Sequence, residues 1–294
     1  MPLVFAAIAP HGGIAIEEAC SPGEEKLALA TRKGMQSLGR MFAAAKPEAV
    51  IVATPHNVHV SHALGVIVAG RVAGHLEGAP DSVALDVPSD ADLAWRILEA
   101  FVAADLPSVG ISFGSNDPTA AVAPMDWGVL IPLWFMGGRN DPPTPLVVVT
   151  PARDLPASAH VDAGRAIARA AEAHGKRVAF IASADHAHAH DPKGPYGFDE
   201  KARVYDDLVC DIVERDELVR LAGVDAALVE QAKADSWWQM LILSGATENG
   251  WRGKLLSYEA PTYFGMLTAG YTPSADGRHL EPAHHRTRQR RMAR

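Results

Sequence analysis

The feature that most constrains this chain is an alternation of short apolar runs with longer stretches of helical character. The runs are "LVFAAIA" at 3–9, "AVIVAT" at 49–54, "GVIVAG" at 65–70, "LVVVT" at 146–150, "RVAFIAS" at 177–183 and "KLLSYE" at 254–259. They are brief and apolar, and most are β-branched, as expected of strands buried on both faces. Helices suit 24–45, 89–105, 160–174, 200–217, 225–234 and 236–247. Alternating elements of this kind predict an α/β fold: a single domain with a largely parallel central sheet flanked by helices. The Pro- and Gly-rich "GGRNDPPTP" at 137–145 has the length of a connector, not of a linker between domains. The domain is expected to span 1–274. Residues 275–294, which include "RHLEPAHHRTRQRRMAR", carry many Arg, few apolar residues and no periodicity, and read as a basic, disordered tail.

Composition removes several function classes. At 294 residues, with 48% hydrophobic and 21% charged, the chain is able to bury one large core without staples, so disorder is not the reading for its bulk. No apolar run approaches the ~20 residues of a bilayer span, and "MPLVFAAIAP" lacks the basic start of a signal peptide. A cytoplasmic protein with no membrane partner is expected. A net charge of −8 gives the body no electrostatic reason to seek nucleic acid. Cys20 and Cys210 are too few for a disulfide framework or a thiolate zinc site, so any metal must be held by nitrogen and oxygen.

In a parallel sheet, ligands gather where loops leave the carboxyl ends of the strands. There the histidines cluster. His11 follows the first run in "PHGG"; His56 and His59 follow the second in "PHNVH"; His186, His188 and His190 follow the fifth in "SADHAHAHDPKGPYGFD". "LLSYEAP" ends a strand at Glu259 and leads toward a helix expected to start at Pro261. His11 and His56 each follow a proline, which steers the backbone away from helix and holds the imidazole in a rigid bend. A lone histidine of this kind is more often a loop residue bonded to a backbone carbonyl; two matching ones favour a ligand pair. Glu259 reads equally as an exposed strand end or as the carboxylate that completes a 2-His-1-carboxylate set, which suits non-haem Fe(II). Such a centre carries a formal charge of about +1 and favours an anionic chelating ligand such as a catechol. A nearby histidine would take the second phenolic proton.

The chain resembles the class III extradiol ring-cleavage dioxygenases, the superfamily of the protocatechuate 4,5-dioxygenase catalytic subunit, which also includes Memo-like proteins. The resemblance rests on "APHGG" at 9–13, "TPHNVHV" at 54–60, "MDWGVLIPL" at 125–133, "SADHAHAHDPKGPYGFD" at 183–199 and "LLSYEAPTYFGMLTAGY" at 255–271. It implies Fe(II) held by His11, His56 and Glu259, and a catalytic base at His188. Asp185 then orients the base segment or caps its turn. Many relatives carry Asp-His-Gly where this chain has Asp126, Trp127 and Gly128, so Trp127 is placed against the substrate in place of a histidine. His59 is a candidate to replace that histidine in space, and also reads as a surface residue beyond a ligand.

The function implied is ring cleavage of a catechol-type or o-aminophenol-type aromatic by O2, in a homo-oligomer or a pairing with a related subunit. Two rivals share the pattern. One is a Memo-like binding or signalling protein that keeps the fold without the chemistry. The other is a zinc hydrolase, since zinc accepts the same ligand types.

Overall fold

The computed structural model describes residues 2–80 and 82–274. The tail expected at 275–294 lies outside the described residues. The strands are β1 (Leu3–Ala9), β2 (Ala49–Ala53), β3 (Leu64–Ile67), β4 (Arg71–His75), β5 (Ala84–Pro88), β6 (Ser108–Ile111), β7 (Val122–Pro124), β8 (Leu146–Thr150), β9 (Val178–Ser183), β10 (Trp251–Glu259) and β11 (Met266–Pro273). The α-helices are α1 (Leu29–Ala45), α2 (Ala91–Ala103), α3 (Trp127–Phe135), α4 (Ala157–His174), α5 (Glu200–Glu214), α6 (Ala226–Gln231) and α7 (Trp237–Ala246).

Eight strands form one sheet in the order β10-β11-β1-β9-β2-β8-β3-β6. Its centre, β1-β9-β2-β8, is parallel throughout. The edges are mixed: β3 runs antiparallel to β8, and β11 runs antiparallel to both β1 and β10. This is the mostly parallel α/β sheet expected. A separate small sheet, β5-β4-β7, lies beside it.

Alternation along the central strands builds two cores. Ile51, Val149 and Phe180 turn to the side covered by Ile97 of α2, Ile167 of α4, Tyr205 of α5 and Leu241 of α7. Val52, Val148 and Ile181 turn to the other, against Met35 and Leu38 of α1, Leu130 of α3 and Val72 of the small sheet. Burial on both faces explains why these strands read as unbroken apolar runs. Helices α4 and α7 meet at Gly164 and Gly245, where a Cβ on either would collide with a carbonyl oxygen of the other helix. The other end of α7 is tied to the sheet by Gln239, whose side-chain Nε2 donates to Ser183 O at 2.8 Å and to Asp235 O at 2.7 Å.

All six apolar runs are strands. The helix expected from Pro261 is not formed: Met266–Pro273 is a strand paired on both sides, with Tyr271 opposite Ala6 on β1 and opposite Gly253 on β10. The residues before it are held by cross-pairing with the histidine-rich segment, where His186 N–H donates to Gly265 O and Gly265 N–H donates to Ala187 O. The helix expected from 24 begins at Leu29, after Ala28 adopts a left-handed conformation at φ 53°.

Candidate metal centre and its cavity

Three central strands end at one place. Two residues beyond β1 stands His11; three beyond β2 stands His56; two beyond β9 stands Asp185. The fourth contributor comes from the break between α6 and α7, which presents Asp235. The His11 and His56 Nε2 atoms lie 3.1 Å apart, and Asp235 Oδ2 lies 3.5 Å from each. Ligands about 2.1 Å from a first-row ion are separated by about 3.0 Å at a right angle and about 3.4 Å at the tetrahedral angle. The triangle therefore has the dimensions of one face of a coordination sphere.

The surroundings fix which nitrogen faces inward. Ser183 donates its hydroxyl hydrogen to Gly128 O, so its oxygen accepts from His11 Nδ1–H at 2.9 Å. The proton stays on Nδ1 and the Nε2 lone pair points into the cluster, the arrangement a metal-binding imidazole needs. His11 is buried, and its backbone N–H donates to Asp185 Oδ1 at 3.0 Å. Thr54 Oγ1 accepts the backbone N–H of His56 at 3.2 Å. Asp235 is buried too, and its Oδ1 has no hydrogen-bond partner. A buried carboxylate oxygen without a donor is costly unless a cation sits beside it.

The titration behaviour agrees. Burial pushes the His11 imidazole down, but the carboxylates of Asp185 and Asp235 overcome that and raise it to about 9. Burial would lift Asp235, yet His11 and His56 hold it well below the usual carboxylate range. Asp185 moves the other way: burial raises it against the pull of His11, and Asp235 adds to the rise. The cluster attracts positive charge. A proton on His11 satisfies part of that attraction; a divalent ion would satisfy all three donors at once. The residues present fit such an ion.

Glu259 does not join this set. It ends β10, but its Oε1 accepts the backbone N–H of Thr31 at 2.6 Å, in the first turn of α1. No side chain caps that helix at Ala28, so an acidic group serves its unpaired amides and favours its positive end. The carboxylate that meets the two imidazoles is that of Asp235. One signal for it was present: helices read at 225–234 and 236–247 leave Asp235 alone at the break.

The centre opens into a cavity of about 750 Å³. His188 and Asp185 line it, as does Trp127. His188 Nδ1 lies 3.0 Å from Lys233 O, and because a carbonyl only accepts, Nδ1 carries the proton and Nε2 is left as the basic nitrogen. Its ring stacks on Phe264 with centroids 5.4 Å apart. Trp127 begins α3 and packs 4.5 Å from the His56 ring; Asp126 before it caps the helix through the N–H groups of Gly128 and Val129 and accepts from Asn57. His59 is exposed and does not line the cavity. Its pKa is lowered first by burial of part of the ring, then by Arg153.

The other two histidines of the 183–199 segment have different surroundings. His190 donates from Nε2 to Asp206 Oδ2 at 2.8 Å. The same carboxylate, wholly buried on α5, accepts from Tyr258 O–H at 2.6 Å and from Ala187 N–H at 2.9 Å. His186 is fully buried with both ring nitrogens unpartnered, and burial lowers its pKa.

Fold and site together define an α/β protein with a histidine–carboxylate centre at the carboxyl ends of its parallel strands. The chain belongs to the family described as the catalytic LigB subunit of aromatic ring-opening dioxygenase, whose model matches residues 5–267. It is similar to Protein CA_C1420 of Clostridium acetobutylicum, at 24% identity over 268 residues, 89% of this chain and 55% of that protein. This chain thus spans about half the length of that relative. Its fold is similar to that of uncharacterized protein JW3007 from Escherichia coli K12, with a TM-score of 0.58 and 18% identity, covering 91% of this chain and 99% of the other. No helix among the described residues is long and apolar enough to cross a membrane.

Proposed function

We propose that this chain is an extradiol dioxygenase that opens the ring of a catechol-type or o-aminophenol-type aromatic with O2, using Fe(II) held by His11, His56 and Asp235. The observation that carries this reading is the triangle of donors at 3.1, 3.5 and 3.5 Å facing a cavity that also contains a histidine with a free Nε2. Family membership supports the same chemistry.

Bound Fe(II) supplies binding of O2 and electron transfer between ring and oxygen, and a set of two histidines and one carboxylate leaves open positions for both partners. The protein's own groups do the rest. His188 Nε2 accepts a proton from a substrate hydroxyl or amino group, and its tautomer is fixed for that task by Lys233 O. Phe264 keeps the imidazole plane in place. Trp127 and Tyr263 give the cavity apolar faces on which a flat ring lies and from which water is displaced. Asp185 holds the backbone of His11 and, by bonding it, keeps the ligand loop from shifting. Ser183 does the same for the His11 ring.

The test is anaerobic reconstitution with Fe(II), followed by oxygen uptake against a panel of catechols and o-aminophenols. Stoichiometric iron and uptake coupled to the appearance of a ring-opened product are expected. Iron binding with no uptake on any member of the panel would remove the dioxygenase reading, and Zn(II)-dependent hydrolysis without O2 would replace it with the hydrolase.

A further inference from the structure

Gln239 stands one helical turn after Asp235, on α7, and is wholly buried. Its side-chain Nε2 donates to two backbone carbonyls, Ser183 O at 2.8 Å and Asp235 O at 2.7 Å. Both partners only accept, so the amide must turn its NH2 group toward them, and each of its two hydrogens has its own acceptor. Gln239 Oε1, on the other side, has no hydrogen-bond partner. A buried oxygen left in that state is costly. A hydrocarbon side chain of the same length would fill the space without that cost. What the amide adds is the pair of donors.

The two carbonyls belong to residues that set the centre. Asp235 contributes Oδ2 to the donor triangle, and the Ser183 hydroxyl accepts from His11 Nδ1–H. Ser183 ends β9 and Asp235 precedes α7, so the two lie on different elements. One nitrogen atom thus grips the backbone that carries the carboxylate and the backbone that carries the hydroxyl steering the imidazole. Any slide of α7 away from β9 would open the 3.5 Å separation between His11 Nε2 and Asp235 Oδ2, and both amide bonds oppose it.

We infer that Gln239 is a positioning residue for the metal centre: its two amide hydrogens hold Asp235 and the Ser183–His11 pair in register, so that the donor triangle is formed before an ion arrives. This rests on the His11, His56 and Asp235 centre of the reading above, and not on ring cleavage. Gln239 touches neither ion nor substrate and acts through the ligands. Losing an outer partner of this kind typically costs about 10–100-fold in metal affinity.

The experiment titrates the full chain, freed of metal and kept anaerobic, with Co(II), whose visible absorption bands report the number and geometry of its ligands. Gln239→Met keeps the length of the side chain and removes both donors; it is expected to weaken Co(II) binding by about 10–100-fold and to shift the bands. Gln239→Asn is a smaller change, with an amide one methylene too short to reach both carbonyls, and gives the same readout should the methionine variant not fold. Thr247→Val is the control: it removes the bond from Thr247 Oγ1 to Leu243 O at the far end of α7, and should lower the urea midpoint while leaving Co(II) affinity and bands unchanged. Binding by Gln239→Met or Gln239→Asn as tight as that of the unaltered protein, with the same bands, would overturn the inference and leave the metal centre standing. An equal loss of affinity in Thr247→Val would also overturn it, since the stability of α7 and not the amide would then set the centre. If the unaltered protein binds no Co(II), the centre itself falls and the inference with it.

Discussion

His11 Nε2 and Asp235 Oδ2 stand 3.5 Å apart, although one follows the first strand and the other lies between the last two helices. That pairing requires the sheet and the docking of α7 on it through Gln239 to be in place, so the centre is a product of the complete fold. Asp235→Ala is expected to strip the metal. Glu259→Ala should leave metal content unchanged and cost about 0.5–2 kcal/mol through loss of an N-terminal cap on α1. Metal analysis and urea unfolding of the two variants decide the matter. Iron retained by Asp235→Ala and lost by Glu259→Ala would reverse the assignment.

Replacing His188, the base of the proposed reaction, should separate chemistry from binding. His188→Ala is expected to keep iron and lower turnover by about 10²–10⁴-fold. His186→Ala and His190→Ala should do much less, because neither ring has an atom in the cavity lining. The measurements are iron content and oxygen uptake on the three single variants. Iron loss in all three would mean that this segment itself holds the metal.

Much of this was legible in the sequence. The six apolar runs became strands because each is buried on both faces, and burial on both faces leaves the clearest mark on composition. His11 and His56 announced themselves by a shared setting, a proline at a strand end. The small sheet and β11 did not. Strands of the small sheet expose alternate residues over only three to five positions, too short for a period to register. The stretch that holds β11 begins with a proline and turn residues, which resemble a helix start; only pairing with β1 and β10 decides it. Glu259 and Asp235 mark the limit of local reading. Each is a carboxylate at an element boundary, and what separates them is the partner each meets across the fold: a helix amide for one, two imidazoles for the other.

Asp206 ties the histidine-rich segment to α5 and β10 by accepting from Ala187, His190 and Tyr258. Asp206→Ala should therefore destabilise the protein by about 1–3 kcal/mol for each buried partner left without its bond. Asp206→Asn, which keeps an acceptor for the Ala187 amide, should cost less. Equilibrium unfolding in urea gives both values. A cost below about 0.5 kcal/mol for the alanine variant, within the range of an ordinary surface change, would show that the carboxylate does not anchor the segment.

Trp127 lines the cavity 4.5 Å from the His56 ring, with nearly half of its surface exposed. It donates no atom to the donor triangle. Trp127→His should thus shift the ranking of substrates in the oxygen-uptake panel by more than it changes iron content. If the variant instead loses its metal, the indole is supporting His56 rather than facing substrate.

Two buried histidines set an acid limit on stability. His186 and His160 are both wholly enclosed, and burial lowers the pKa of each below the ordinary 6.5. In the unfolded chain each takes up a proton near 6.5, whereas in the folded protein it stays neutral until a lower pH. The unfolded state therefore binds more protons across that window, and stability must fall as the pH drops through it. Above about 7 both states are neutral at these positions and the effect vanishes. Urea unfolding at a series of pH values from 7.5 to 5 is expected to show this decline. The double variant His160→Leu, His186→Leu should lose less stability over the same interval than the unaltered protein does, whatever its absolute stability at pH 7.5. A decline of equal steepness in both proteins would assign the acid sensitivity to other groups.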